Sequence, residues 1–419
     1  MNNDRSVSTG VFRLALTGQA LIEQPVAVTT PAAAELAAEL SCAHMAAANF
    51  EGTLGAPHAW PVKMKTLHVA APQALASLRS LGINALGLAN NHAFDLGQPG
   101  VMATRAGALA AGFTVAGSGE NIAAAGAAGI VTSDSVKAAL LAFDLGPQAD
   151  MVYAGESRPG INPLRIRKEL ALPADELARL AAIARACGHD ARMARRVAVG
   201  YSDALDGDSM DFFGVTVRPG ARIEELRYPD AVDLGRALDA VKSARTDAGL
   251  VVVSLHNHHW EVDWAAAPAW MEDLCRQLVD AGADVVFCHG PPVLQGMAFH
   301  RGRPIFYGLG NFIFHTARSP RYDRNGIDVW RSVVATCDYA ADGALESVRI
   351  RPIRVGLPLD KTPAAKQVQA PEYLDGAEAW EVMTQFLDRS ALGNATVSTA
   401  GAGCIIRSSA QAERTDYPH

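Results

Sequence analysis

The feature that most restricts how this chain can fold is a series of short apolar runs, each stopping abruptly at a polar side chain. Residues 12–17 run into Gly18-Gln19, 45–50 into Glu51, and 83–89 into Asn90-Asn91-His92. Later, 250–255 ends in His256-Asn257-His258-His259-Trp260-Glu261, 284–288 in His289, and 304–309 in Gly310-Asn311. Runs this short and this apolar have the pattern of strands covered on both faces. Helix-length segments lie between them at 31–42, 72–81, 101–111, 233–246 and 268–281, with Gly82 and Gly112 placed to end two of them. This alternation predicts a layered α/β domain. Ligands gather at the carboxyl ends of strands in such folds. If the strands are neighbours in one sheet, Gln19, Glu51, Asn91, His92, His256, His289 and Asn311 meet at one rim and form a shared site.

Further strands are expected at 113–116, 128–132 and 138–143, with an antiparallel pair at 332–339 and 345–353. Residues 11–360 read as one domain. Within it, 145–232 is rich in Gly, Pro, Arg and Asp and carries one helix at 173–186, so it reads as an insertion or substrate lid. Residues 361–419 read as one helix from Pro371 to about Arg389 and a frayed Gly/Ser/Thr-rich tail.

With 37 basic against 44 acidic residues the net charge is −7, which argues against nucleic acid and anionic membranes as partners. The densest basic stretch, Arg192 to Arg196, reads as the solvated face of a helix. No run has the length of a membrane span or a signal peptide h-region. Six cysteines without paired spacing favour neither a zinc knuckle nor a disulfide framework, so a reducing cytoplasm is the expected setting. The partner expected is a small-molecule or peptide substrate. Oligomeric state leaves no mark in the sequence.

The richest stretch is Asn90-Asn91-His92-Ala93-Phe94-Asp95-Leu96-Gly97. Asn, Asp and Gly all suit a turn, but a histidine at the mouth of an apolar strand is not explained by turn geometry. An amide oxygen, an imidazole and a carboxylate this close can bind a divalent cation or move protons. Asp95 is placed to fix the His92 tautomer. Adjacent residues of an extended segment face opposite ways, so at most one of His258 and His259 extends the site. Trp260 and Trp264 are candidates for a pocket wall or for core packing, and Gly310-Asn311 for a turn buttressing the rim.

The blocks Asn49-Phe50-Glu51, Leu88 to Gly97, Val252-Val253-Ser254-Leu255-His256 with Glu261, Val293-Leu294-Gln295-Gly296 and Tyr307-Gly308-Leu309-Gly310-Asn311-Phe312 occur in that order. Together they resemble the CapA-like (poly-γ-glutamate capsule synthesis) family, whose fold resembles calcineurin-type metallophosphoesterases. The resemblance implies a four-layer α/β/β/α sandwich with an inserted segment. It also implies a metal centre with Glu51 as bridging carboxylate, Asn91 as amide ligand and His256 as imidazole ligand, beside His92 as general acid or electrostatic stabiliser. Gln19 stands where the family usually has Asp, and His289-Gly290-Pro291-Pro292 where it commonly has His-Pro-His. Both departures fall on one half of a dinuclear centre. The expected site is therefore a single Mn, Fe or Zn ion on Glu51, Asn91, His256 and His289, or an acid/base site without metal.

The leading expectation is a hydrolase of peptide or glutamyl substrates, with His92, Asp95 and Glu51 catalytic and Gln19, Asn311 and Trp260 meeting substrate. The alternatives are a metal-independent epimerase and a non-catalytic binding protein.

Overall fold

The apolar runs are divided between two sheets that face each other, not collected in one. In the computed structural model, residues 12–63, 66–133, 136–357 and 368–409 are described. The first sheet has ten strands. Phe12–Leu21, Met45–Phe50, Ala85–Gly87 and Thr114–Ala116 lie parallel, and Asn311–Phe314 joins the end of the first of them. On its other side the sheet continues antiparallel through Arg331–Tyr339, Leu345–Arg354, Gly403–Arg407 and Thr396–Ala400. The second sheet has six strands in the order Met297–His300, Arg303–Phe306, Val285–His289, Leu250–His256, Lys137–Asp144 and Gly129–Thr132.

Strand alternation explains the layering. Leu14, Leu16, Met45, Ala47 and Ala85 of the first sheet share a buried core with Leu140, Ala142, Leu250, Val252 and Phe287 of the second. The intervening Ala15, Ala46, Ala48 and Leu86 point the other way, onto Leu36 and Leu40 of helix Pro31–Ser41 and Leu75 and Leu78 of helix Gln73–Ser80. Behind the second sheet, Cys288 meets Cys275 of helix Ala269–Asp280 with the sulfurs 3.9 Å apart. The result is a four-layer α/β/β/α sandwich, the layering expected from the sequence. The helices start where local chemistry directs: Thr30 Oγ1 accepts from Ala33 N (3.1 Å) ahead of Pro31, capping one of the first-turn amides. Gly18 is required by crowding, because a Cβ there would sit 2.1 Å from the Gly310 carbonyl oxygen where two strands cross.

Two expectations change. The chain forms two compact units, one being Arg165–Val232 and the other the chain on either side of it. Residues 145–164 thus fall outside the smaller unit. Within that unit, Ile166–Leu172, Met210–Phe212, Val215–Pro219 and Glu224–Pro229 make a four-stranded sheet that composition concealed, beside helices Ala174–Ala186 and His189–Ala198. The C-terminal residues expected to fray instead form the hairpin of Thr396–Ala400 and Gly403–Arg407, anchored by buried Cys404 and Ile406. Residues 358–367 and 410–419, on which parts of the expected 11–360 boundary and tail fall, lie outside the described residues. No helix among the described residues is long and apolar enough to cross a membrane.

Candidate active site

Register sets the polar strand ends level. In the first sheet Gln19 pairs with Asn49 and Asn49 with Gly87, while Glu51 N donates to Ala20 O at 3.0 Å. In the second, Asp144, His256 and His289 stand side by side. The two rims then touch: Asn49 Nδ2 is 3.2 Å from His256 Nδ1, Asn91 Oδ1 2.8 Å from His256 Nε2, and Gly290 N donates to Gln19 Oε1 at 3.0 Å. A cavity of about 430 Å³ opens over this seam, with Gln19, Glu51, Asn91, His92, His258 and Trp260 on its walls.

One wall carries a histidine–carboxylate pair. The strand ends at Gly87, and Asn90 then fixes the turn, donating from Nδ2 to Phe50 O (2.7 Å) and accepting from His92 N at Oδ1 (3.1 Å). So the turn reading holds for Asn90, and His92 is left on the cavity wall. His92 Nδ1 lies 2.7 Å from Asp95 Oδ2, which also accepts from His68 N at 2.8 Å, and Lys63 Nζ sits 2.8 Å from Asp95 Oδ1. Burial pushes the Asp95 carboxyl up, but the His92 hydrogen bond and the Lys63 charge outweigh it and hold it below its ordinary value. Burial lowers the His92 imidazole, with Asp95 pulling the other way. Near pH 7 His92 is therefore neutral, with Nδ1–H directed to Asp95 and the Nε2 lone pair left for the cavity.

The other wall is a buried cluster. Glu51, His256 and His258 each offer a donor atom, all within 4.8 Å of one another. Glu51 Oε1 lies 4.0 Å from His256 Nε2, and the Nε2 atoms of His256 and His258 are 3.0 Å apart. Glu51 Oε2 is buried with no hydrogen-bond partner. Burial, then the Asp95 charge, push Glu51 up to about 8 against the opposing pull of Lys63. Burial drives His258 down to about 3 and His256 well below its ordinary value, helped by neighbouring imidazole charges. An orphaned carboxylate oxygen beside two neutral imidazoles is a donor set suited to Mn, Fe or Zn, so the residues fit the implied metal.

The structure thus brings together Glu51, Asn91, His92, Asp95, Gln19, Trp260 and His256. Trp260 lies on the wall, its Nε1 donating to Asn257 O (2.8 Å) and its ring 5.0 Å from that of His258. His289 is buried behind the wall, with both ring nitrogens unpartnered and burial pushing it down to about 3, and it stands outside the Glu51–His256–His258 group. Asn311 is fully buried and off the cavity wall. Its Nδ2 donates to Pro292 O and Val329 O, both at 3.0 Å, so it braces the rim from behind the lining residues. His258 joins the cluster in place of His289. The signal was the two-residue spacing from His256, which puts both rings on one side of an extended segment. Lys63 and His68 had no signal, since neither follows an apolar strand of any length.

A seam of His, Glu and Asn thus lies at the carboxyl rims of two facing sheets of an α/β protein. Residues 13–316 match the family described as bacterial capsule synthesis protein PGA_cap, and the chain belongs to that family. It is 31% identical to the uncharacterized protein y4sH of Sinorhizobium fredii over 264 residues, 60% of this chain and 54% of that one. It is also similar to the PGA biosynthesis protein CapA of Bacillus subtilis, 37% identical over 18% of this chain and 19% of the relative. A probable polyglutamine synthesis accessory protein of Mycobacterium tuberculosis is 24% identical over 83% of this chain and 76% of its own. The chain spans about half the length of the Sinorhizobium relatives it matches. A solved phosphatase from Mycoplasma pneumoniae covers 82% of this chain and 93% of its own, at 9% identity and a TM-score of 0.39.

Proposed function

We propose that the protein is a metal-assisted hydrolase acting on an acyl bond in a peptide or glutamyl-type substrate related to poly-γ-glutamate. The observation that carries this reading is the meeting of two groups at one cavity, His92 held by Asp95, and Glu51 and His258 beside the buried His256. Glu51, His256 and His258 would hold a single Mn, Fe or Zn ion, which when bound supplies polarisation of the acyl oxygen and a more acidic water. Asp95 keeps the His92 ring in one tautomer, and His92 Nε2 takes a proton from the attacking water. Gln19 Oε1 is spent on Gly290 N, leaving its NH₂ group to donate to a substrate carbonyl. Trp260 gives an apolar wall against which the substrate chain lies. The substrate class follows the family description and the PGA biosynthesis and polyglutamine synthesis relatives, and the expected setting remains cytoplasmic, with a small-molecule or peptide partner.

Hydrolysis of γ-glutamyl peptides and poly-γ-glutamate by protein loaded with Mn, Fe or Zn tests the reading. Loss of both bound metal and turnover in His256→Ala supports it. Turnover that survives exhaustive chelation contradicts it and favours a second reading. That reading is a metal-free acid/base enzyme such as a peptide epimerase, favoured by neutral Gln19 and Pro292 on the cavity wall.

A further inference from the structure

Beside His92 stands a second histidine–carboxylate pair that the proposed function leaves unused. His68 Nδ1 lies 2.7 Å from Glu23 Oε1, just as His92 Nδ1 lies 2.7 Å from Asp95 Oδ2. The two imidazoles meet edge to face, with ring centroids 4.3 Å apart and planes at 75°, and both line the same cavity. The His68 backbone amide donates to Asp95 Oδ2 at 2.8 Å, which ties the pairs together. In each pair the carboxylate takes Nδ1, so Nε2 is the nitrogen that can gain and lose a proton toward the cavity. The pairs differ in access. The Asp95 side chain is fully buried, whereas that of Glu23 is 35% exposed.

We propose that His68, oriented by Glu23, is the general acid of this site and protonates the leaving group while His92 serves as base toward the attacking water. This rests on the reading of His92 as the proton carrier of a hydrolase. As the new C–O bond forms, one water proton passes to His92 Nε2. As the C–N bond breaks, its electron pair goes to nitrogen, and that nitrogen takes the Nε2 proton of His68, which enters the step as the imidazolium. His92 then gives its proton to solvent and His68 takes one back from solvent at Nε2, so one water is consumed and both imidazoles are restored.

The test compares two probes with the same γ-glutamyl acyl group on metal-loaded protein, a p-nitroanilide and a p-nitrophenyl ester. The anilide nitrogen needs a proton to leave and the nitrophenolate does not. His68→Gln is expected to lower kcat for the anilide about a hundredfold, with KM and the ester rate nearly unchanged. Glu23→Gln is expected to act in the same direction, less strongly. Equal losses on both probes, or none on either, overturn the proposal. If His92→Gln leaves both rates intact, the hydrolase reading itself fails instead. A substrate-free check uses the ring ¹⁵N shifts of His68. Nδ1–H held by Glu23 agrees with the proposal, and a neutral ring protonated on Nε2 with Nδ1 bare overturns it.

Discussion

The two walls of the cavity use the same residue types and end in opposite states. On the His92 wall, the buried Asp95 meets an imidazole, a backbone amide and an ammonium group, and stays ionised. On the Glu51 wall, an equally buried carboxyl has one oxygen without a partner, and its neighbours are imidazoles stripped of charge by burial. The difference shows that burial alone does not decide a carboxylate's role; the donors around it do. A saturated carboxylate can orient a histidine. An orphaned one keeps an oxygen to offer to a proton or a cation.

That contrast can be broken experimentally. The largest effect is expected for His92→Gln, which should lower turnover about a thousandfold while metal content, read by elemental analysis, stays at the parent level. Loss of the metal as well would mean that the walls do not act separately. Next, Asp95→Asn should destabilise the fold by about 3 kcal/mol in urea titrations, because it strips a partner from a buried ion pair. A surface-like cost of a few tenths would contradict the saturated reading.

A smaller effect concerns pH. Glu51 holds its proton up to about pH 8, and a cation must displace it. Metal affinity in calorimetry should therefore tighten about tenfold per pH unit below that point and level off above it, with one proton released. Glu51→Gln should bind weakly and with a flatter pH dependence.

A last effect, read in the pH dependence of stability, concerns Asp144, level with His256 on the second rim. Burial lifts its carboxyl to about 7 against hydrogen bonds from Tyr153 and Gly146. The folded protein keeps a proton that the unfolded chain sheds from its ordinary value of 3.8 upward, so rising pH favours the unfolded chain. Stability should fall through this window, by about 1.4 kcal/mol per unit from this one group, and stay level above it. Asp144→Asn should remove that component of the slope in denaturation measured from pH 5 to 8.

Much of the architecture was legible because it rests on local patterns. The helices at 31–41, 73–80, 97–110 and 269–280 and most of the buried strands follow from apolar runs, capping residues and Gly stops. The four-stranded sheet of Arg165–Val232 was not legible. Ile166-Arg167-Lys168-Glu169 carries charges at consecutive positions, because its side chains reach solvent and pair with one another across the strands. The C-terminal hairpin was missed for a related reason: Gly, Ser and Thr look like fraying until a neighbouring strand edge supplies their hydrogen bonds.

For the site, the sequence by itself determined which strands end in chemistry: Glu51, Asn91-His92 and His256 are visible as polar stops to apolar runs. Only the tertiary structure decided how these ends are grouped. Two sheets facing each other, not one, bring Glu51 to His256 and His258, turn Asn311 into a brace and leave His289 behind the wall. It also delivers Lys63, His68 and Glu23 to the His92 wall from a connecting segment and a neighbouring strand end. The physical reason is that periodicity records which face of an element is buried. The partner across a seam is set by packing between elements far apart in the chain, and no local pattern encodes it.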